Sequence, residues 1–227
     1  MHRWDVTPEE AVAIQQRLRQ QTLREGPPPA EGAIIAGLDV GFRGEVARAA
    51  AVAVRYPEMT PLDQAVAELP IQFPYIPGLL AFREAPAMLT ALERLRFVPD
   101  LLMVDGHGIS HPRRMGIATH LGVYLDKPSI GCAKSRLWGH FEPPPDEPGA
   151  WTPLLDGTEV IGAVLRTQWG QPPLFVSIGH RISLENAIQT VLACIRTHRL
   201  PEPTRLAHLA ASGKPVVEAT DQMRLIE

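Results

Sequence analysis

The amino-acid sequence predicts an α/β protein built on one mixed β-sheet with helices on its faces. Three observations support this class. Three strand-like segments follow one another with only short turns between them, which favours antiparallel neighbours. Short apolar segments then alternate with segments of helical spacing, which is typical of parallel β-α units. The C-terminal region adds a hairpin and two helices.

The N-terminal part of the chain predicts one helix and three strands. Thr7 and Glu10 form a capping box with Pro8 at the first helical position, so a helix should run to about Arg24. Gly26 and a run of prolines then end it. The three antiparallel strands are predicted at Ala33–Phe42, Arg48–Tyr56 and Leu62–Leu69.

The remaining elements follow from apolar periodicity and turn residues. Gly78–Leu95 carries apolar residues at helical spacing and should form a helix. We predict strands at Leu101–Val104 and Ser129–Ala133, a helix at Met115–Leu125, a hairpin of Glu159–Thr167 with Leu174–Ile178, a helix capped by Ser183 that ends at about His198, and a short helix from near Thr204.

This element order is that of the ribonuclease H-like fold, in which the first strand lies beside the fourth. Asp39 near the end of the first strand and Asp105 just after the fourth should therefore lie side by side. The chain of 227 residues can bury a core of its own, and we predict a single domain over residues 1–227.

Composition limits the class of protein and its location. The longest apolar runs are too short to span a bilayer, so no membrane partner is expected. The polar N-terminus MHRWD is not a secretory signal, and two cysteines are too few for a disulfide framework, so a cytoplasmic location is expected. A net charge of −3 argues against binding nucleic acid through bulk positive charge. Five cations could still form a local basic face: Arg113, Arg114, Lys134, Arg136 and Arg181.

Three acidic residues lie in surroundings that disfavour charge. Asp39 follows the apolar run AIIAGL, Asp105 follows LLMV, and Glu84 lies in PYIPGLLAFREAP. A buried carboxylate is costly unless a cation compensates it, and carboxylates from separate segments are typical ligands of Mg²⁺. The three residues together predict a metal site for phosphate chemistry. Taken singly, each aspartate could be a turn residue, and Glu84 could pair with Arg83 on a solvated helix face.

The loop DGHGISHPRRMGIATH, which begins at Asp105, predicts a phosphate contact because its side chains and glycines offer donors and close backbone approach. Zinc is the weaker alternative, since no cysteine is near and the spacing matches no compact zinc pattern. Lys134 should emerge near the same sheet edge, where it could stabilise charge on a phosphate or remain a surface lysine.

The segment Pro74–Pro77 holds an aromatic and a branched apolar residue between prolines. Such a stiff tip could enter a base step and unstack it, and the alternative is a loop that covers the sheet. His208 is an ordinary helix residue when taken alone, and His180 could simply orient the turn before a helix.

Together these segments resemble the endonuclease V family over nearly the whole chain. The resemblance rests on GLDVGF, PYIPGLLAFRE, DGHGISHPRRMGIATHLG, IGCAKSRL, VSIGHRISLENA and LPEPTRLAH, of which the long middle segments are highly specific. It implies a DNA repair nuclease that uses Mg²⁺, with Mn²⁺ as a substitute. It also implies cleavage of the second phosphodiester bond on the 3′ side of hypoxanthine, leaving 3′-hydroxyl and 5′-phosphate ends.

The resemblance also implies roles for individual residues. The catalytic metal site falls on Asp39, Glu84, Asp105 and His208, and the phosphate-side catalytic lysine on Lys134. The backbone of two glycine-containing loops, Gly78–Leu80 and Gly106–Gly108, is expected to read the base. The predicted DNA-binding set is Pro74, Tyr75, Ile76, Pro77, Gly78, Leu80, Gly106, His107, Gly108, His111, Arg113, Lys134 and Leu137.

Partners and alternative functions follow from the same comparison. DNA containing deoxyinosine is the expected partner, inosine-containing RNA is a second candidate, and a monomer is expected. GLDVG also resembles the first phosphate loop of actin-like kinases and ATPases, but this chain is too short for the second domain that those enzymes need. A nucleic-acid-binding module without catalysis is the other alternative, against which the intact acidic residues count.

Overall fold

An eight-stranded mixed sheet and five α-helices form the part of the chain that the computed structural model describes, residues 2–214 and 216. The strands are β1 (Ile34–Arg43), β2 (Val46–Arg55), β3 (Thr60–Pro70), β4 (Leu101–Val104), β5 (Ser129–Ala133), β6 (Trp151–Asp156), β7 (Glu159–Leu165) and β8 (Leu174–His180). The helices are α1 (Pro8–Leu18), α2 (Leu80–Glu93), α3 (Ile117–Leu125), α4 (Leu184–Ala193) and α5 (Glu202–Ala211). Within these described residues, no helix has the length and apolar character needed to cross a bilayer.

The strand order is β3-β2-β1-β4-β5-β8-β7-β6. The pairs β1–β4 and β4–β5 are parallel and the other neighbours are antiparallel. Leu38 is in register with Val104, and the Asp105 amide donates to the Leu38 carbonyl at 2.9 Å. The predicted neighbourhood of the first and fourth strands, and with it that of Asp39 and Asp105, is therefore confirmed.

The two faces of the sheet carry different helices. On one face Ile35 and Met103 share an apolar cluster with Ile188 of α4 and Leu206 of α5. On the other face the alternating positions, such as Leu38, pack with residues of α2 and α3. The sheet is thus covered on both sides, and its carboxyl-end edge at β1, β4 and β5 is where polar side chains emerge.

Helix α5 lies unusually close to β1. A Cβ atom placed on Gly37 would stand 1.9 Å from the Pro203 carbonyl oxygen, so only glycine permits this approach. Because His208 lies further along the same helix, the close packing at Gly37 sets the position of His208 over Asp39, two residues along the strand. Sequence periodicity alone does not give this contact.

Several boundaries differ from the predictions for visible reasons. Helix α1 ends at Leu18, followed by one 3₁₀ turn (Arg19–Gln21), instead of reaching Arg24. The chain is then extended because the Leu23 amide bonds the His180 ring and its carbonyl bonds the Arg181 amide. Helix α4 ends at Ala193, not near His198, and the Arg196 side chain bonds the Ala193 carbonyl there.

Strand β6 was not predicted at all. Pro153 lies inside it, and proline cannot donate to a strand ladder. Strand β6 is at the edge of the sheet, where one side needs no partner, so the proline is tolerated there. The predicted hairpin of β7 with β8 is confirmed, and β6 extends it by one strand.

Candidate metal and nucleic-acid site

Three predicted metal ligands meet at the carboxyl-end edge of the sheet. Asp39 comes from β1, Asp105 follows β4, and His208 comes from α5. One ligand atom of each lies within 4.8 Å of those of the other two, so the group could hold a metal ion. The Nδ1 atom of His208 is 2.7 Å from Oδ2 of Asp39. Carboxylate oxygens with an imidazole are a donor set that suits a divalent ion.

The carboxylates of this group repel one another. Burial raises the pKa of Asp39, the charge of Asp105 raises it further, and the hydrogen bond from His208 and the charge of Lys134 oppose this shift. The Lys134 ammonium forms an ion pair with Asp105. A lysine thus supplies part of the positive charge that this edge requires.

Glu84 of α2, the fourth predicted ligand, is not among the described residues whose ligand atoms lie within 4.8 Å of one another, although the charges of Asp39 and Asp105 act on it. Its half-buried carboxyl has a pKa raised from 4.5 to about 8, first by burial and then by the charges of Asp39 and Asp105. The nearby Arg83 lowers this pKa, but its guanidinium donates to the Phe73 carbonyl at 2.7 Å. Two neighbouring carboxyl groups with raised pKa values, those of Asp39 and Glu84, are what a site built for a bound cation should show before the cation binds. The residues therefore fit a divalent metal.

The three possible ligands Asp39, Asp105 and His208 are called the metal group below. A cavity of about 200 Å³ adjoins this group, and its wall contains both Asp105 and Glu84. Its wall is mainly apolar and includes Leu80 and Leu137. Predicted residues account for much of the lining: Tyr75, Pro77, Gly78, Leu80, Glu84, Asp105, Gly106, His107, His111 and Leu137. A mainly apolar pocket with a few polar groups beside a reactive centre is the usual form of a ligand site.

One side of the cavity is built around the carbonyl of Gly78. It accepts hydrogen bonds from Gln15 Nε2 at 3.0 Å, His111 Nε2 at 2.9 Å and an Arg113 guanidinium nitrogen at 2.7 Å. Gly78 has φ +80°, a conformation that glycine adopts without strain, and a Cβ atom would stand 2.8 Å from Arg113. Helix α1, the loop after β4 and the start of α2 are thus joined at one backbone group.

The two histidines at the cavity are neutral. Burial lowers the pKa of His107 and of His111 to about 4 in each case. His111 donates from Nε2 to Gly78, while its Nδ1 accepts from the Arg113 amide at 3.1 Å. The His107 ring contacts the Ser110 hydroxyl at 3.0 Å. Neutral imidazoles at these positions can orient a bound group through hydrogen bonds without adding charge.

The tip predicted as a wedge protrudes at the mouth of the cavity. Tyr75 is 69% exposed, and Pro74 and Pro77 are also exposed. Ile76 is partly buried against the cluster that contains Phe73. The tip therefore has an anchored residue beside a projecting ring, which differs from the alternative of a loop that covers the sheet.

Some predicted residues lie outside the cavity. The Gly108 amide donates to the buried Ser177 hydroxyl at 2.8 Å, so this amide already has a partner inside the protein. Arg113 directs its guanidinium at Gly78 and at Gln15, where Nε is 2.5 Å from Oε1. Lys134 is exposed beside Asp105. Asp39 and His208 line a separate groove on the other side of the metal group.

Sequence reasoning did not identify five further lining residues as part of the site: Gln15, Ala81, Met115, Gly116 and Ile117. The signal for Gln15 was present, because it is a polar residue four positions after Ala11 on the buried face of an amphipathic helix. His180 has a structural place instead: its ring contacts the Leu23 amide and the Asp126 carboxylate, both at 3.2 Å.

Comparison with known proteins identifies the family. The sequence model of the Endonuclease V family matches residues 15–209. The chain belongs to the endonuclease V family. Endonuclease V from Roseiflexus sp. (strain RS-1) is 56% identical over 211 residues, which cover 92% of this chain and 94% of the relative. The prediction of a DNA endonuclease is thereby confirmed, and the non-catalytic and actin-like alternatives fall away.

Solved structures agree with this assignment. Endonuclease V from Streptomyces avermitilis has a TM-score of 0.88 at 41% identity and covers 92% of this chain and 93% of its own. Endonuclease V from Ciona intestinalis, solved with a 24-mer DNA containing an inosine followed by a ribo-adenosine, has a TM-score of 0.75 at 26% identity and covers 96% and 98%. The ribonuclease H-like fold predicted from element order is confirmed.

Proposed function

We propose that this endonuclease V family member is a Mg²⁺-dependent DNA repair enzyme that recognises hypoxanthine. It cleaves the second phosphodiester bond on the 3′ side and leaves 3′-hydroxyl and 5′-phosphate ends. One observation carries the proposal: the cavity of about 200 Å³, called the base-sized cavity below, contains Asp105 of the metal group in its wall, with Glu84 beside it. A base held in the cavity places the neighbouring part of its strand over the adjoining metal group, which fits a cut displaced from the lesion. The inosine in the DNA bound by the Ciona relative supports the same substrate.

We assign the metal to Asp39, Glu84, Asp105 and His208, with Mn²⁺ able to replace Mg²⁺. When bound, such an ion supplies Lewis-acid activation of water and of the phosphodiester. His208 donates from Nδ1 to Asp39, which holds its ring and leaves the Nε2 lone pair for a metal or a proton. Lys134, exposed at the end of β5, is positioned to stabilise negative charge on the scissile phosphate.

Base selection is proposed to rest on backbone groups of Gly78–Leu80 and Gly106. Hypoxanthine shows a carbonyl acceptor and a ring N–H where adenine shows a donor and an acceptor, so fixed backbone groups can discriminate between them. Each group left unpaired by adenine costs about 1–3 kcal/mol. The triple hydrogen bond at the Gly78 carbonyl holds this wall rigid. The Gly108 amide already donates to the Ser177 hydroxyl, so on that loop we assign contact with the base to the backbone of Gly106.

The direct test of the proposal uses labelled duplexes that are identical except for one deoxyinosine or adenine. With Mg²⁺ we expect a single nick in the inosine strand, at the second phosphodiester bond on the 3′ side of the deoxyinosine. With EDTA we expect no nick, and Mn²⁺ should restore it. The product lengths and a ligation assay report the position of the cut and the chemistry of its ends.

Matched substrates and outcomes sharpen this test. A single-stranded inosine oligonucleotide and an inosine-containing RNA of the same sequence show which polymer is cut faster. Cleavage of the adenine duplex at an equal rate would contradict hypoxanthine recognition. An undiminished rate in EDTA would contradict the metal assignment, and a nick at another bond would correct the position alone.

Replacing Tyr75 by alanine is expected to weaken cleavage of duplex much more than of single-stranded inosine DNA. The exposed ring is proposed to fill the space that the flipped base leaves, and a base–aromatic stack contributes about 1–3 kcal/mol. We therefore expect kcat/KM to fall by roughly tenfold on duplex. Tyr75→Phe keeps the ring and should retain most of the activity. Equal losses on both substrates would contradict a wedge role.

A further inference from the structure

A second cavity lies on the other side of the metal group. This groove, called the arginine groove below, has a volume of about 220 Å³ and includes both Asp39 and His208 in its wall. Its remaining wall comes from the end of β1, the start of β2 and the last residues of α5. That wall includes Phe42, Arg43, Arg48, Ala211 and Ser212.

The metal group separates the two cavities. Glu84 and Asp105 line the base-sized cavity, whereas Asp39 and His208 line the arginine groove. Asp39 and Asp105 are nevertheless neighbours within the same group of possible ligands. A polymer strand that starts with a base in the first cavity and passes over the metal group therefore continues towards the arginine groove.

The arginines of this groove are held in place by the end of α5. Arg48 donates from Nε to the Ala211 carbonyl at 3.0 Å and also pairs with Glu68. Arg43 donates to the Ser212 carbonyl at 3.3 Å. The last carbonyls of a helix carry partial negative charge, so cations are favoured there. Within the described residues, this bond engages one of the five N–H donors of the exposed Arg43.

The chemistry of the groove suits a phosphodiester. Guanidinium groups bind phosphate oxygens through two parallel hydrogen bonds, and Arg43 is exposed enough to offer them. Phe42 is 43% exposed, with the guanidinium of Arg83 5.0 Å from its ring centroid. An exposed aromatic beside fixed cations can contact a sugar or base while the phosphate is held.

We propose that the arginine groove binds the backbone phosphate of the nucleotide that follows the cleaved bond on its 3′ side, with Arg43 as the main contact. This inference rests on the proposed function. It explains how an enzyme that holds the lesion on one side of the metal group fixes the strand on the other side. The phosphate at the metal group is then positioned by two contacts, one with the base in the first cavity and one with the next phosphate in the arginine groove.

The test combines a substrate series with single substitutions. Inosine oligonucleotides are shortened in steps at their 3′ end, so that successive phosphates beyond the cleaved bond are removed. For the wild type, kcat/KM should fall by roughly tenfold when the phosphate in the groove is lost, as for a charge-assisted hydrogen bond. Arg43→Ala should show the same fall on the long substrate and no further fall on shortening. Arg43→Lys should recover part of the loss.

Binding provides a readout that does not depend on turnover. In EDTA, the affinity of the wild type for the long oligonucleotide should decrease with salt more steeply than that of Arg43→Ala. The slope of the logarithm of the binding constant against the logarithm of the salt concentration should differ by about one unit, as expected for one phosphate contact. Arg55→Ala is the matched control, because Arg55 is exposed at the opposite end of β2 from Arg48 and the change in charge is the same.

The outcomes separate this inference from the proposed function. If wild-type protein cuts inosine DNA but Arg43→Ala matches Arg55→Ala and keeps the full dependence on 3′ length, the arginine groove is not the phosphate site. If the wild type does not distinguish inosine from adenine, the proposed function fails first. Loss of the length dependence in Arg43→Ala alone supports the phosphate contact.

Discussion

Replacing Asp105 by asparagine is expected to reduce cleavage of inosine DNA by at least about 10³-fold while leaving binding of that DNA within a few-fold. Asp105 lines the base-sized cavity, and one of its oxygens lies within 4.8 Å of ligand atoms of Asp39 and His208. An amide is a poorer ligand for a divalent cation and carries no charge. The base contacts proposed for Gly78–Leu80 do not involve this carboxylate.

The measurement is single-turnover cleavage beside an anisotropy titration with the same inosine duplex in Mg²⁺. Asp100→Asn is the matched control, because Asp100 immediately precedes β4 and Asp105 immediately follows it. Asp100 accepts a hydrogen bond from the Ile34 amide and lies at the opposite end of the short strand. Cleavage by Asp105→Asn at the rate of Asp100→Asn would remove Asp105 from the metal group. Loss of binding with an unchanged melting temperature would assign Asp105 to substrate binding.

The same strand shows what sequence could and could not provide. The adjacency of Asp39 and Asp105 was predictable, because element order places the first strand beside the fourth and both residues come at strand ends. The position of His208 was not predictable from its own helix, where it is an exposed residue on a mixed face. It depends on the close contact of Gly37 with Pro203, which joins segments that are far apart in sequence.

The walls of the cavity show a similar division. Pro74–Pro77 and Gly78 could be singled out because proline and glycine mark unusual backbone locally. The role of Arg113 differs from a simple phosphate contact, since its guanidinium is directed at Gln15 and Gly78. That contact needs helix α1 to pack against the loop after β4. Local sequence cannot show such packing, so the buried Gln15 was overlooked as well.

Glu84 links the acidic group to the stability of the whole protein. In the folded, metal-free protein its pKa is raised from 4.5 to about 8 by burial and by the charges of Asp39 and Asp105. The unfolded chain therefore loses this proton at a lower pH than the folded protein. The contribution of protonated Glu84 to stability is fully present below about pH 4.5 and is lost as pH rises towards 8.

Replacing Glu84 by glutamine should therefore stabilise the metal-free protein at pH 8 and abolish most cleavage. Each unit of pKa difference corresponds to about 1.4 kcal/mol, and we expect a gain of at least that size in the free energy of unfolding. At pH 5 the gain should be small. Mg²⁺ should stabilise the wild type more than the variant, because a ligand that binds only the folded state shifts the unfolding equilibrium.

Urea unfolding measures the free energy of unfolding of each protein under four conditions: pH 5 and pH 8, each in EDTA and in Mg²⁺. Glu93→Gln is the matched control, because Glu93 is the exposed last residue of the same helix α2. It should change neither the pH dependence nor the response to Mg²⁺. A Glu84→Gln protein that is less stable than the wild type at pH 8 in EDTA would show that the carboxylate is compensated without metal. In that case the acidic group would be a closed ion-pair network, with Lys134 as its cation, and not a site that awaits a divalent ion.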